Sequence, residues 1–273
     1  MSKLYVVGTP IGNLEDFSPR AVRTLRECDF IAAEDTRVTV KLLNHFDIKT
    51  PMVSYHEHNL RERGEYIISR ILSGETCAIV TDAGMPAISD PGEDLVRLCH
   101  KNGIKVESVP GPCAFSTALA LSGMSVGRFT FEGFLSVNKP GRNEHLLSLV
   151  NETRTMVFYE APHKIAATLK DMYKAFGDRD IAIVREITKI HEDVIRTTLK
   201  EAVELYGEDG VKGEIVLIVE GKRQEPEDEQ MTFDDAVALA EKSVDGGMSV
   251  SEAAKNTAKL TGFKKGDIYK ALI

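Results

Sequence analysis

The sequence has no tryptophan and only four cysteines, and no apolar run in it approaches the ~20 residues that a membrane-spanning helix needs. Cys28, Cys77, Cys99 and Cys113 are scattered and never spaced Cys-x-x-Cys. Neither a disulfide framework nor a zinc site is expected, and the thiols read as small buried hydrophobes. The opening MSKLYVV enters a strand-like run without the apolar core and cleavage site of a signal peptide, so a cytoplasmic location and no membrane partner are expected. Positive charge is in deficit: 34 Lys and Arg against 42 Asp and Glu leave a net charge of −8. That balance argues against loose binding of nucleic acid over a general basic surface, but leaves room for a local basic cleft. The dinucleotide loop Gly-x-Gly-x-x-Gly, the P-loop and the His-Glu-x-x-His zinc helix are all missing. His56 and His58, which flank Glu57, are therefore not read as ligands, and no metal is expected.

What is present is an ordinary globular composition, 42% apolar and 28% charged, over 273 residues. That length accommodates one large domain or two of ~100–150 residues. The first half alternates short apolar runs with amphipathic stretches. LYVV (4–7), FIAA (30–33), MVS (52–54), CAIV (77–80) and VESV (106–109) read as strands. A helix opens at Ser18-Pro19, with Ser18 as N-cap and Pro19 at the first helical position, where its missing N–H costs nothing. A second, charged helix reaches Leu72 and stops at Gly74, and a third starts near Glu93. Strands apolar on both faces and separated by helices predict a parallel sheet covered on two sides, with ligands beyond the carboxyl ends of its strands.

The second half changes style. Runs at 129–134, 156–159, 181–184 and 215–219 read as strands, and HEDVIRTT (191–198) as an extended segment with polar alternation, so this sheet is expected to be mixed. An acidic, Pro-containing linker, QEPEDE (224–229), leads to three short helices at 233–242, 250–260 and 265–272. Ser249 and Ser251 are available as caps, and Gly262 separates the last pair, as in a small helix-turn-helix unit. The expected layout is thus an α/β fold of two α/β domains, residues 1–123 with a parallel sheet and 124–223 with a mixed one, plus a helical appendage at 231–273. The appendage either packs on a protein surface or touches nucleic acid through Lys255, Lys259, Lys264 and Lys265.

Three loops and four polar clusters carry the candidate chemistry. The first strand ends in GTPIGN (8–13), whose glycines permit either a tight turn or close approach of a ligand to backbone. TDAGMPAISDPG (81–92) is longer than the ~2–6 residues a connecting loop needs, and offers free amides and carbonyls. PGP (110–112) leads into a helix start of small residues, suited to a ligand or to another helix. AEDTR (33–37), SYHEHN (54–59), YEAPH (159–163) and REITK (185–189) each place charged side chains at the carboxyl end of a strand.

Together VGTPIGNLED, AEDTR, SYHEHN, TDAGMPAISDPG, VPGPCAFSTALALSG, FYEAPHKI, VREITKIHE and KGEIVLIVEG resemble, in order over residues 4–221, the tetrapyrrole methylase superfamily, and within it the branch that acts on ribosomal RNA. Met85 and Lys164 depart mildly from that pattern, where threonine and arginine are common. The first loop lacks the Gly-rich, Asp-ending form of the tetrapyrrole-modifying members. The resemblance implies S-adenosylmethionine in a cleft between the two domains. Pro10, Ala83, Gly84, Met85, Ile88, Ser89, Ala114 and Ser116 would touch it from the first domain, and Tyr159, Ala161, Gly213 and Glu214 from the second. It further implies 2′-O-methylation of a cytidine ribose in the decoding region of 16S ribosomal RNA, a partner in that RNA or the 30S subunit, and a homodimer. A ribose hydroxyl needs a positioned base, for which Asp35, His56, Glu57 and Lys189 are candidates. Asp35 oriented by Arg37 is preferred. Arg37, His56, Arg185 and Lys189 would bind the substrate, the cations by meeting flanking phosphates. A tetrapyrrole methyltransferase of the same fold and a non-catalytic cofactor sensor are the competing readings.

Overall fold

The structure is a computed structural model that describes residues 2–207, 211–223 and 231–273. It divides into two compact units, Met1–Lys222 and Arg223–Ile273. The expected acidic linker at 224–229 lies outside the described residues.

The first half of the larger unit alternates β1 (Lys3–Val7), α1 (Pro19–Glu27), β2 (Phe30–Ala33), α2 (Thr36–His45), β3 (Met52–Ser54), α3 (Leu60–Leu72), β4 (Cys77–Val80), α4 (Glu93–Lys101) and β5 (Lys105–Val109). The strands pair in the order β3-β2-β4-β1-β5, every pair parallel. Burial explains the apolar runs: all four residues of both β2 and β4 are buried. Successive side chains enter opposite faces, so Phe30 and Ala32 join one core and Ile31 and Ala33 the other. Ser18 caps α1 as expected, its hydroxyl accepting from the Ala21 amide at 3.1 Å with Pro19 following.

The second half holds α5 (Ala114–Ser122), β6 (Phe129–Phe134), α6 (Lys139–Ser148), β7 (Thr155–Glu160), α7 (Ile165–Phe176), β8 (Asp180–Arg185), β9 (Asp193–Thr198), α8 (Leu199–Leu205) and β10 (Ile215–Val219). Its sheet runs β6-β7-β10-β8-β9, with β6 parallel to β7 and the other pairs antiparallel. This is the mixed sheet expected. The extended segment expected from residue 191 starts as a strand only at Asp193, after a turn in which the Glu192 amide donates to the Lys189 carbonyl.

One face of that sheet, through Met156, Phe158, Ile181, Ile183 and Leu217, packs against α7 and α8. The other face, through Val157, Ala182, Val184, Val216 and Ile218, receives Ala118 and Leu119 of α5. Thus α5 follows the first sheet in sequence but buries its apolar side on the second. Ile11 of the first loop joins the same cluster.

The smaller unit contains α9 (Phe233–Asp245), α10 (Val250–Thr261) and α11 (Lys265–Ala271) around Ala240, Ala254 and Ile268. Thr232 and Asp235 form a capping box, Ser249 rather than Ser251 caps α10, and Gly262 ends it with φ 77°.

Candidate active site

Three loops meet at the carboxyl ends of the first sheet. Gly8 donates its amide to the Val109 carbonyl at 3.0 Å, and a Cβ built on Gly8 would lie 2.7 Å from the Gly111 Cα and from the Met85 Sδ. The first and third loops therefore cross at backbone-to-backbone contact that only glycine permits. Thr9 exchanges two backbone hydrogen bonds with Gly84, at 2.9 and 3.2 Å, and its hydroxyl donates to the Thr81 carbonyl at 3.1 Å. Gly84 holds φ 89°, a conformation that L side chains rarely adopt. The long loop is thus tied to the first strand rather than free.

These loops and the second sheet enclose a cavity of about 380 Å³, within the range of small-molecule sites. Ile11, Met85, Ile88, Phe134, Ile187, Ile215 and Val216 give it apolar walls. Its polar rim is acidic: Glu34, Asp82, Asp90, Glu160 and Glu214 line it, and none of its described lining residues is Lys, Arg or His. Because Ala33 pairs with Val80 across neighbouring strands, Glu34 and Thr81 emerge side by side. Thr81 Oγ1 donates to Glu34 Oε2 at 2.5 Å and the Asp82 amide to the same oxygen at 3.3 Å. Burial, then the charge of Glu34, pushes the Asp90 carboxyl up to about 6, against a hydrogen bond from Thr81. Glu160 accepts from the Ala161 amide at 2.7 Å and from Thr168 Oγ1. Burial pushes the Tyr159 phenol up to about 12, and its oxygen accepts the Phe115 amide at 3.3 Å at the start of α5.

Nine of the twelve residues expected to contact a cofactor line this cavity: Ala83, Gly84, Met85, Ile88, Ser89, Ala114, Tyr159, Ala161 and Glu214. Pro10, Ser116 and Gly213 are not among the lining residues, though Pro10 and Gly213 each neighbour one in sequence. Ser116 is exposed and its hydroxyl donates to the Cys113 carbonyl within its own helix turn.

The residues expected to do the chemistry are placed outside the cavity wall. Asp35 is the N-cap of α2: its carboxylate accepts the Arg37 amide at 2.8 Å and pairs with the Arg37 guanidinium at 2.6 Å. Those contacts hold Asp35 at about 2, so it is a weak base. Arg37 is exposed. Lys189 Nζ lies 2.8 Å from Glu186 Oε1 and 3.3 Å from Glu214 Oε2. Burial lowers its pKa, but the hydrogen bonds to these carboxylates outweigh that and raise it overall, so it stays cationic. Its stem covers Gly12, where an added Cβ would meet Lys189 Cγ at 2.6 Å.

His56 Nε2 lies 3.2 Å from Asn59 Nδ2 while its buried Nδ1 has no partner, and Glu57 is exposed. The rings of His56 and His58 stand 5.9 Å apart. Among the described residues no three His, Cys, Asp or Glu groups are placed to hold a metal ion.

Arg185 lies on the far face of the second sheet from the cavity. It shares the alternation of Ile181 and Ile183 along β8 and lines a separate cavity with Ile195, Tyr206 and Val211. Sequence reasoning missed Glu34, Asp82, Asp90 and Glu160. All four lie in segments it had singled out, and what it lacked was the register that gathers their carboxylates.

Two α/β layers with a ligand-sized, acid-rimmed cavity between their sheets define a small-molecule-binding architecture, and comparison with known proteins gives its class. The family described as Tetrapyrrole (Corrin/Porphyrin) Methylases matches residues 3–203. The chain belongs to that family.

Within it, the chain is 48% identical over 268 residues to the Ribosomal RNA small subunit methyltransferase I of Halalkalibacterium halodurans, covering 97% of this chain and 93% of that one. The protein of the same name from Thermotoga maritima is 47% identical over 222 residues, which are 81% of this chain and the whole of that one. Among solved structures, cobalt precorrin-4 methyltransferase superposes with a TM-score of 0.59 at 19% identity, covering 80% of this chain and 94% of that one. A Thermus thermophilus uroporphyrin-III C-methyl transferase complexed with S-adenyl homocysteine gives 0.57 at 20% identity, covering 80% and 97%. At these identities the two structures speak for the fold.

Proposed function

We propose that the chain binds S-adenosylmethionine in the cavity and methylates small-subunit ribosomal RNA, at the 2′-hydroxyl of a cytidine. The observation that carries the first part is the cavity itself. Apolar walls suit a nucleoside, exposed loop backbone at Ala83 and Ser89 suits its polar edges, and the acidic rim suits a cation. The residues present fit such a donor. The names of relatives at 42–48% identity over nearly the full length support the second part.

When bound, the donor supplies an electrophilic methyl group on a sulfonium. The chain's own residues bind, orient and exclude water: Ile11, Ile187 and Val216 dry the floor, while Ile88 and Phe134 stand half-exposed at the mouth. Positioning supplies much of the rate in such in-line transfers. Arg37 and Lys189 meet phosphates flanking the target nucleotide as fixed cations, a role their ion pairs with Asp35 and with Glu186 and Glu214 are compatible with. Asp35, held at about 2, orients Arg37 rather than taking a proton. His56 and Glu57, at the end of the neighbouring strand β3, remain as acceptors of the hydroxyl proton. A single-stranded RNA site lets the target ribose reach the cavity at low unstacking cost. The reading includes a homodimer and a cytoplasmic location, where ribosomal subunits are found.

The test is a methyl-transfer assay with labelled donor on 30S subunits from cells lacking the protein, with ribose methylation mapped by primer extension. Label at one cytidine 2′-oxygen is expected. Transfer to a tetrapyrrole and none to RNA would refute the acceptor assignment.

A further inference from the structure

We infer that the carboxylates of Glu34, Asp82 and Asp90 make the cavity discriminate between the cationic methyl donor and the neutral thioether left after transfer. The inference rests on the donor reading above and deepens it from binding to specificity. Glu34 and Asp82 are fixed by neutral donors only: Thr81 Oγ1 and the Asp82 amide on Glu34, and the Asp35 amide on Asp82 at 3.2 Å. Among the described residues none of the three carboxylates forms an ion pair, whereas the other charged neighbours are already matched. Arg37 is committed to Asp35, and Lys189 to Glu186 and Glu214. Glu160, across the cavity, is satisfied by the Ala161 amide and Thr168.

Every element facing Asp90 is therefore acidic or neutral. Glu34 follows β2, Asp82 opens the same loop, and Tyr159 on β7 stays an un-ionised phenol. Glu34 and Asp90 are partly buried without a cationic partner, and Asp82, exposed and within reach of the Arg37 charge, adds to the same negative field, so a cation beside them is favoured. Their geometry does not suit a metal ion, since among the described residues no three such groups are placed to hold one. A sulfonium, bulky and diffuse, meets both conditions.

Methyl transfer breaks the carbon–sulfur bond with its electron pair staying on sulfur, while the new carbon–oxygen bond forms and the hydroxyl proton passes through the base to solvent. The positive charge facing the carboxylates is thereby erased, and the product loses the attraction that held the donor. Binding the cation also draws Asp90 to its ionised form, so the preference depends on pH. Below about 6 Asp90 is protonated and the discrimination weakens.

The experiment is calorimetric titration of the full chain with S-adenosylmethionine and with S-adenosylhomocysteine between about pH 5 and 8. For the wild type, donor affinity falls by roughly five- to tenfold in all as pH drops through the Asp90 midpoint, while product affinity stays nearly flat. In Asp90→Asn and Glu34→Gln the donor-to-product affinity ratio at neutral pH drops roughly five- to tenfold, and in Asp90→Asn the pH slope disappears. Parallel pH curves for the two ligands in the wild type, or unchanged ratios in both variants, overturn the inference and leave the donor site standing. Folded wild type that takes up neither ligand overturns the donor reading and this inference together.

Discussion

Replacing Gly8 by alanine tests whether the three loops are held together as described. The added methyl would sit 2.7 Å from the Gly111 Cα and from the Met85 Sδ, and 2.8 Å from the Gly111 nitrogen. The methionine can swing away, but the Gly111 backbone cannot without opening the third loop. Overpacking of this kind costs ~1–3 kcal/mol. If the strain also breaks the Thr9–Gly84 pair, two backbone hydrogen bonds at ~1 kcal/mol each are added. The expected loss is about 1–5 kcal/mol, the upper part requiring loss of that pair, a fall in melting temperature of roughly 2–20 °C for a unit of this size. Donor affinity should drop at least ~10-fold, because Gly84, Met85 and Ala114 line the cavity from the displaced loops. Gly127→Ala is the control, since a methyl added there would meet nothing within 4 Å and no positive φ is involved. Urea denaturation and calorimetry on both variants decide the matter. Gly8→Ala with wild-type stability and wild-type donor affinity would refute the crossing.

Three further outcomes follow from the same geometry. Arg37→Ala should raise the Asp35 carboxyl from about 2 towards the ordinary range, read by carboxyl NMR titration. Because the folded pKa of Asp35 is depressed, the stability it contributes is present above ~4 and is lost as pH falls towards 2, and that loss should shrink in the variant. Asp90→Asn should stabilise the donor-free protein at pH 7. The raised Asp90 pKa means that the native state holds its proton more tightly, so stability is lost between ~4 and 6 as pH rises. After discounting for solvent screening, the gain is on the order of 1 kcal/mol in urea denaturation and vanishes below pH ~4. A chain ending at residue 222 should keep wild-type donor affinity by calorimetry, since every lining residue lies in the first unit and a relative of that extent exists.

Much of the fold was legible because local signals and burial agreed. Ser18-Pro19 announced α1, and the apolar runs of β2 and β4 announced strands covered on both faces. The packing of α5 on the second sheet was not legible, since an apolar helix in sequence does not say which sheet it covers. At the site, loop length and glycine content found the cavity wall, but side-chain roles needed pairing information. Glu34 meets Thr81 only because β2 and β4 are neighbours in register, a contact 47 residues apart in sequence. Two signals were available and unused. Asp35 directly precedes a helical run and so could have been read as a cap, and the period-2 alternation of β8 places Arg185 with Ile183, on the face away from the cavity.

The most direct measurement is a crystal structure of the full chain with S-adenosylmethionine. Density within the cavity, touching the loop from Ala83 to Ser89 with its sulfur on the side of Glu34 and Asp90, is the expected result. Density elsewhere on the folded protein, or a sulfur turned away from those carboxylates towards Lys189, would contradict the account.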